Sequence, residues 1–334
     1  MDNLKRILRV FLRRTAATPP PGEFVWILEK GAAVEQMLLD AQAAKTRTDD
    51  RSQRLDVPRE AEEIHISVVF TWDLERAHAL AKTLEPLGLP VTVGGPATGM
   101  RGEEFTPGFY MRDGYVITSR GCPNRCWFCS VWKRDGMIRE LPITDGWNVS
   151  DDNILATSET HFRAVFKMLE KYRGRVEFTG GLEAKILKPW HVDLLADIRP
   201  KQMFFAYDTP DDYEPLVEAG KLLRAAGFQG KNGEVDRRMR SFVFIGFPKD
   251  AIADAEKRMW QTLHAGFMPM AMLWRDPRKN VRPSKEWRTL QRGWARPAAM
   301  ASKLTGVEIV KPKELTENER AQGDLFGGQG YTCG

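Results

Sequence analysis

Between Ile64 and Leu273 the chain alternates strand-sized apolar runs with helical patterns of roughly ten to fifteen residues, and few architectures accept that rhythm. The spacing predicts strands at Ile64–Phe70, Pro90–Gly94, Tyr115–Thr118, Arg175–Thr179, Gln202–Tyr207, Arg240–Gly246 and Pro269–Leu273. Helices are expected over Leu74–Leu87, Thr160–Tyr172, Pro189–Asp197, Tyr213–Ala226 and Ala251–Ala265. Strands separated by such helices pair in parallel through right-handed crossovers. The expected class is therefore α/β: a partial parallel (β/α)6 TIM-like barrel preceded by a small α/β unit. Functional loops in such a frame lie at the C-terminal ends of the strands.

Composition narrows the class further. Hydrophobic residues make up 42% of the 334 positions and charged residues 28%, which suits a globular chain and not a disordered one. No apolar run approaches the eighteen or so residues of a membrane span, so no transmembrane segment is expected. Only four cysteines occur, three of them within eight positions, unlike a secreted disulfide scaffold, and no signal peptide is visible. A cytoplasmic location is the expectation.

Four segments follow from these patterns. Residues 1–22 read as a basic amphipathic helix and a proline linker. Leu4, Ile7, Leu8, Phe11 and Leu12 recur at helical spacing, with Lys5, Arg6, Arg9 and Arg13 opposite and prolines at 19, 20 and 21 beyond. Such a helix can dock by its apolar stripe, lie on a membrane surface or touch nucleic acid. Residues 23–108 form the small α/β unit and residues 109–275 the barrel. Residues 276–334 are an extension and tail.

The densest chemistry lies just after the strand at Tyr115–Thr118, in Ser119-Arg-Gly-Cys122-Pro-Asn-Arg-Cys126-Trp-Phe-Cys129. Three thiolates this close can converge on one centre, and soft sulfur ligands suit zinc or an iron–sulfur cluster. A structural zinc normally takes four protein ligands, and no histidine stands nearby; Cys333 is more than two hundred residues away. A four-iron cubane held by three cysteines keeps one iron open for another ligand.

This Cys-x3-Cys-x2-Cys spacing, with an aromatic residue before the third cysteine, resembles the signature of the radical S-adenosylmethionine (SAM) superfamily. The resemblance implies a [4Fe-4S] cluster on Cys122, Cys126 and Cys129, with SAM chelated at the open iron. It also implies an external one-electron reductant and a 5′-deoxyadenosyl radical that abstracts hydrogen from a substrate the sequence does not name. Phe128 matches the aromatic position near adenine. Gly180-Gly181-Leu182-Glu183, after a strand, resembles the family's Gly-Gly-Glu element, with Leu182 inserted, so the glycines and Glu183 are expected at the methionine end. Asp208 matches positions that reach SAM's ribose or the substrate, though an aspartate there also caps loops. Lys185, Tyr207, Arg240, Met270 and Met272 are further candidates for the cavity border, and His161, His191 and His264 read as packing or surface residues. No catalytic residue is assigned. The whole sequence also resembles a radical SAM group of bacterial and phage-like sequences, a likeness that carries no reaction with it.

The stretch from Ser67 to Pro96 resembles part of the cobalamin-binding domain that precedes many radical SAM domains. The Asp-x-His-x-x-Gly motif, whose histidine ligates cobalt, is missing, and the unit reads as a shrunken relic. The other candidate partners are nucleic acid and a sliding clamp. Residues 274–303 carry Trp274, Trp287 and Trp294 among nine Lys or Arg and only two acids, a pattern able to track phosphates and stack bases, or simply to seal the barrel with its cations in water. Gln322-Gly-Asp-Leu-Phe326 resembles the short peptide that binds the bacterial DNA sliding clamp. The rival function is a non-enzymatic zinc or iron–sulfur module that binds nucleic acid.

Overall fold

The computed structural model describes residues 6–28, 57–102, 104–231, 234–276 and 281–295, together with 300, 303, 304, 307 and 309. Cys333, the clamp-like Gln322–Phe326 segment and most of the polar stretch 41–62 lie outside the described residues. The chain divides into two compact units, residues 1–115 and 116–334.

The first unit is a four-stranded parallel sheet of β1 (Ile7–Phe11), β2 (Val25–Ile27), β3 (Glu63–Ser67) and β4 (Val91–Gly94), in the order β2-β1-β3-β4. Helix α1 (Leu74–Leu84) connects β3 to β4 and buries Ala77, Leu80 and Leu84, three- and four-residue steps along one face.

The expected helix over residues 2–14 is corrected here: its described part is strand β1, paired on both sides. Leu8, Val10 and Leu12 are buried at the two-residue period of a strand. The same leucines also fit a helical stripe, and the pattern of so short a segment does not separate the two. Pairing decides it, because β1 receives hydrogen bonds from both β2 and β3 and its side chains close the core with Ile64 and Ile66. The arginines are engaged within the unit. Arg9 donates to the Phe109 carbonyl at 2.5 Å and lies 4.6 Å over the Phe109 ring. Arg13 grips Asp73 through two nitrogens, one bond measuring 2.7 Å.

The second unit holds a six-stranded sheet in the order β12-β11-β10-β9-β8-β5. Its strands are β5 (Tyr115–Val116), β8 (Asn148–Val149), β9 (Glu177–Leu182), β10 (Gln202–Tyr207), β11 (Met239–Ile245) and β12 (Met268–Leu273). From β8 to β12 every neighbouring pair is parallel. Strands β5 and β12 are the two ends of this sheet. Beyond the short helix α2 (Val131–Arg134), four helices alternate with these strands: α3 (Glu159–Leu169), α4 (Pro189–Ile198), α5 (Tyr213–Ala225) and α6 (Ile252–His264). Ser158 begins α3 by accepting from the His161 amide at 3.2 Å, satisfying a donor the helix leaves unpaired.

One side of the sheet is sealed: Phe178, Met203, Phe205, Val243 and Ile245 are buried, as are Phe162, Val165, Leu195, Leu216 and Leu263 from the helices. Alternate strand residues on the other side, among them Thr179, Ala206, Arg240, Phe242, Phe244 and Met270, are only half-buried. Tyr207 belongs to the sealed side, with its hydroxyl donating to Gln261 at 2.8 Å, so it does not border an open cavity. His161 and His191 are buried packing residues, as their helical placement implied.

In the C-terminal extension, α7 (Lys285–Trp294) ends on a buried tryptophan. Trp294 meets Trp260 edge-on at 5.3 Å, and the Lys303 ammonium lies over both rings. That indole is packed inside the unit and is not free to stack on a base.

Replacing Leu8 by Ala should cost about 2–5 kcal/mol of first-unit stability through a core cavity. Glu75→Ala, on the exposed side of α1, should stay within about 0.5 kcal/mol. Urea denaturation of the two variants checks the strand assignment, since an exposed amphipathic helix would tolerate both changes.

Candidate functional site

The cysteine loop is an excursion from the end of β5, closed at its base by two short antiparallel strands, β6 (Ser119–Arg120) and β7 (Arg139–Glu140). Leu141 N–H donates to the Thr118 carbonyl at 2.8 Å, and Cys122 N–H to the Gly136 carbonyl at 3.1 Å. Gly121 sits at φ +88°, and a Cβ there would come within 2.3 Å of the Met137 carbonyl. Only glycine lets the chain turn into the loop at this point.

The loop after β8 holds this base from the other side, through three consecutive residues. Asp151, buried to 1% exposure, accepts from Thr118 N–H and Oγ1 at 2.6 Å each and from Ser119 Oγ at 2.7 Å. Burial pushes its pKa up while these donors pull it down. Asp152 accepts from Gly121 N–H at 2.9 Å and faces the Arg134 guanidinium at 3.6 Å. Asn153 donates through Nδ2 to the Cys122 sulfur at 3.6 Å and to Glu183 Oε2 at 2.7 Å, while its buried Oδ1 has no partner among the described residues. This Asp-Asp-Asn triplet is not legible from periodicity, because β8 is only two residues long and has no readable period. Four polar residues, Ser150 to Asn153, directly after Trp147-Asn-Val149 in a chain of parallel strands are the available signal.

The thiols are half-buried and share a common field. Burial raises all three, Cys126 to about 11, and each pair with Cys126 adds mutual repulsion. The negative charge of Asp208 reaches both Cys126 and Cys129. Cys129 Sγ also accepts from Val131 N–H at 3.4 Å, and the Trp132 indole donates to the Cys126 carbonyl at 3.0 Å. A nucleophilic cysteine needs a lowered pKa, so this environment argues against a free reactive thiol. Metal binding deprotonates a thiol and supplies the free energy its surroundings withhold.

Among the described residues no three His, Cys, Asp or Glu side chains stand close enough to hold a single metal ion. A cubane spreads its thiolate ligands more widely than one ion does. Three soft sulfur donors, two N–H···S bonds and an orphaned acceptor beside Cys122 fit a thiolate-held cluster.

The other expected residues are distributed unequally. Phe128 packs on Phe244 of β11 with ring centroids 4.5 Å apart, and Trp127, largely exposed, meets Phe128, Phe244 and Phe247 at 5.5–6.1 Å. Glu183 reaches the cysteines through Asn153. Gly180 and Gly181 are occupied differently from the expectation: a Cβ on Gly180 would lie 2.0 Å from the Asp151 carbonyl, and one on Gly181 2.6 Å from that of Asp152. Their missing side chains make room for the loop after β8, and the close approach they permit is by protein backbone. Asp208 keeps some exposed surface, yet dense surroundings and the nearby Asp212 charge push its pKa up to about 7. Lys185 is paired with Asp212 at 2.9 Å.

These elements define a parallel α/β protein with a three-cysteine loop at the end of its first core strand. No family model matches the chain, and no curated protein does. Among solved structures, the radical S-adenosylmethionine methyltransferase TsrM from Kitasatospora setae, with cobalamin and a [4Fe-4S] cluster bound, is similar with a TM-score of 0.51. The identity is 11%, over 80% of this chain and 75% of that one. The likeness is one of fold: the parallel sheets and intervening helices are consistent with a radical-SAM-like α/β architecture.

The cobalamin is a feature of that structure. Open parallel sheets bind ligands where strand order reverses, here at the C-terminal ends of β1 and β3. Arg13, just past β1, and Asp73, beyond β3, form an ion pair in that region. The two described histidines of the first unit lie elsewhere: His65 sits within β3 on Glu63 and Tyr110, and His78 within α1.

Two predictions follow from the site. Gly180→Ala should push the Asp151 loop away and loosen the cysteine base, seen as faster amide exchange at Thr118–Cys122 even without metal. Asp208, with its folded pKa near 7 above its ordinary 3.8, contributes stability that is complete below the lower value and lost as pH rises through the upper one. Asp208→Asn in cluster-free protein should therefore raise the thermal midpoint at pH 8 and barely change it at pH 4.

Proposed function

We propose that the chain is a radical SAM enzyme. The observation that carries this reading is the placement of Cys122, Cys126 and Cys129 on one loop at the end of the first core strand, in each other's electrostatic field. The radical-SAM-like fold supports it. The six strands are read as a partial barrel whose half-buried face is the reaction side.

A [4Fe-4S] cluster carrying SAM supplies, when bound, a one-electron path to a 5′-deoxyadenosyl radical able to abstract hydrogen. Cys122, Cys126 and Cys129 would hold the cluster, leaving one iron for SAM. Glu183 would pair with the methionine ammonium, beside the strand carrying Gly180 and Gly181. Phe128 and Phe244 would offer adenine a ring surface. Asp208 would meet the ribose or the substrate, and its raised pKa lets it donate as well as accept near neutrality. An external one-electron reductant is required. Nucleic acid or a nucleotide is the proposed substrate class, resting on the basic segment with Trp274 and Trp287.

Anaerobic reconstitution with iron and sulfide should give brown cluster absorbance and, with SAM and dithionite, 5′-deoxyadenosine. Alanine at Cys122, Cys126 or Cys129 should abolish both, and Cys333→Ala should spare both. A Cys333 variant that lost the cluster as fully as the Cys126 variant would replace this reading with a four-thiolate site. Filter binding of DNA and RNA across salt concentrations tests the substrate class, and no binding even at low salt would remove it.

A further inference from the structure

We propose that Asn153 is a positioning residue that sets the reduction potential of the cluster site, an inference that rests on the radical SAM reading. Its side chain is 3% exposed at the start of the short helical turn after β8. Both of its polar neighbours on Nδ2, the Cys122 sulfur and Glu183 Oε2, are acceptors when ionised. A neutral side-chain amide offers two N–H donors on one nitrogen, so it can serve a thiolate and a carboxylate together. The flipped amide would set Oδ1 against the Glu183 carboxylate, acceptor on acceptor, which fixes the orientation drawn here.

An N–H bond to a ligating sulfur draws electron density from it. The reduced cluster carries one more negative charge than the oxidised one, so that bond stabilises the reduced state more. Asn153 thereby raises the potential and eases electron entry. The carboxylate of Glu183 works in the opposite direction, and its charge already disfavours ionisation of Cys122. Asn153 stands between these two groups and holds them in fixed relation. Its Oδ1 is buried without a donor among the described residues. That acceptor is left for a bound group, and the methionine ammonium of SAM has the required N–H.

The test is a reductive titration of the reconstituted protein, monitored by electron paramagnetic resonance, with iron content measured on each sample. Asn153→Leu, close in size and without donors, should shift the potential to more negative values. Asn153→Asp should shift it further, because it replaces the donor by a charge. Glu183→Gln should shift it the other way. General damage to the site would move all three variants in one direction, so opposite signs identify tuning. If Asn153→Leu fails to hold a cluster, the order of Asn153→Asp, wild type and Glu183→Gln carries the same information. A potential unchanged from wild type in an iron-replete Asn153 variant overturns the proposal. Wild-type protein that assembles no [4Fe-4S] signal overturns the function reading, and this inference with it.

Discussion

The carboxylate of Asp151 ties the loop after β8 to the strand end from which the cysteines depart. A buried carboxylate is expensive unless its oxygens are fully engaged, and here it accepts from one backbone amide and two hydroxyls at 2.6–2.7 Å. Removing it would leave those donors buried and unpaired, at a cost of about 3 kcal/mol or more. The next two residues extend the same grip along the chain, Asp152 to Gly121 and Asn153 to Cys122. A flexible loop bearing three thiols is thereby held at one end of the sheet. Gly180 completes the arrangement by yielding its Cβ space to the Asp151 carbonyl.

Around the thiols, the protein favours the neutral form until something else compensates. Burial and mutual repulsion raise the cysteines, and Asp208 and Glu183 add further negative field. Such a site has little use for free thiolates. It suits positively charged metal, whose attraction outweighs the desolvation, with N–H···S bonds from Val131 and Asn153 shaping the electron density that results.

Several of the basic residues that suggested an anionic partner are engaged inside the fold. Arg9 and Arg13 serve the first unit, and Arg134 pairs with Asp135 at 2.6 Å and faces Asp152. Lys303 covers two packed indoles. Each ion pair takes up an acid with its base, so the formal net charge of +5 is unchanged while these particular cations are engaged within the fold.

The sequence by itself determined the alternation of strand and helix in the second unit. Its long periodic segments are found within a few residues of where their patterns put them: Gln202–Tyr207 is a strand as read, and Tyr213–Ala225 and Ile252–His264 are helices. The three cysteines were equally legible, because their spacing within one loop needs no distant contact to be recognised. Pairing and close approach were not legible. Residues 7–12 carry apolar side chains that satisfy both a helical stripe and a strand, and only the hydrogen bonds offered by β2 and β3 choose between them. Gly180 and Gly181 signalled that something comes close, but a sequence does not say whether it is a ligand or the backbone of Asp151. The triplet at 151–153 was silent for the same reason. Its function is to bond residues about thirty positions earlier and thirty later, and such contacts exist only once the sheet has brought β5, β8 and β9 side by side.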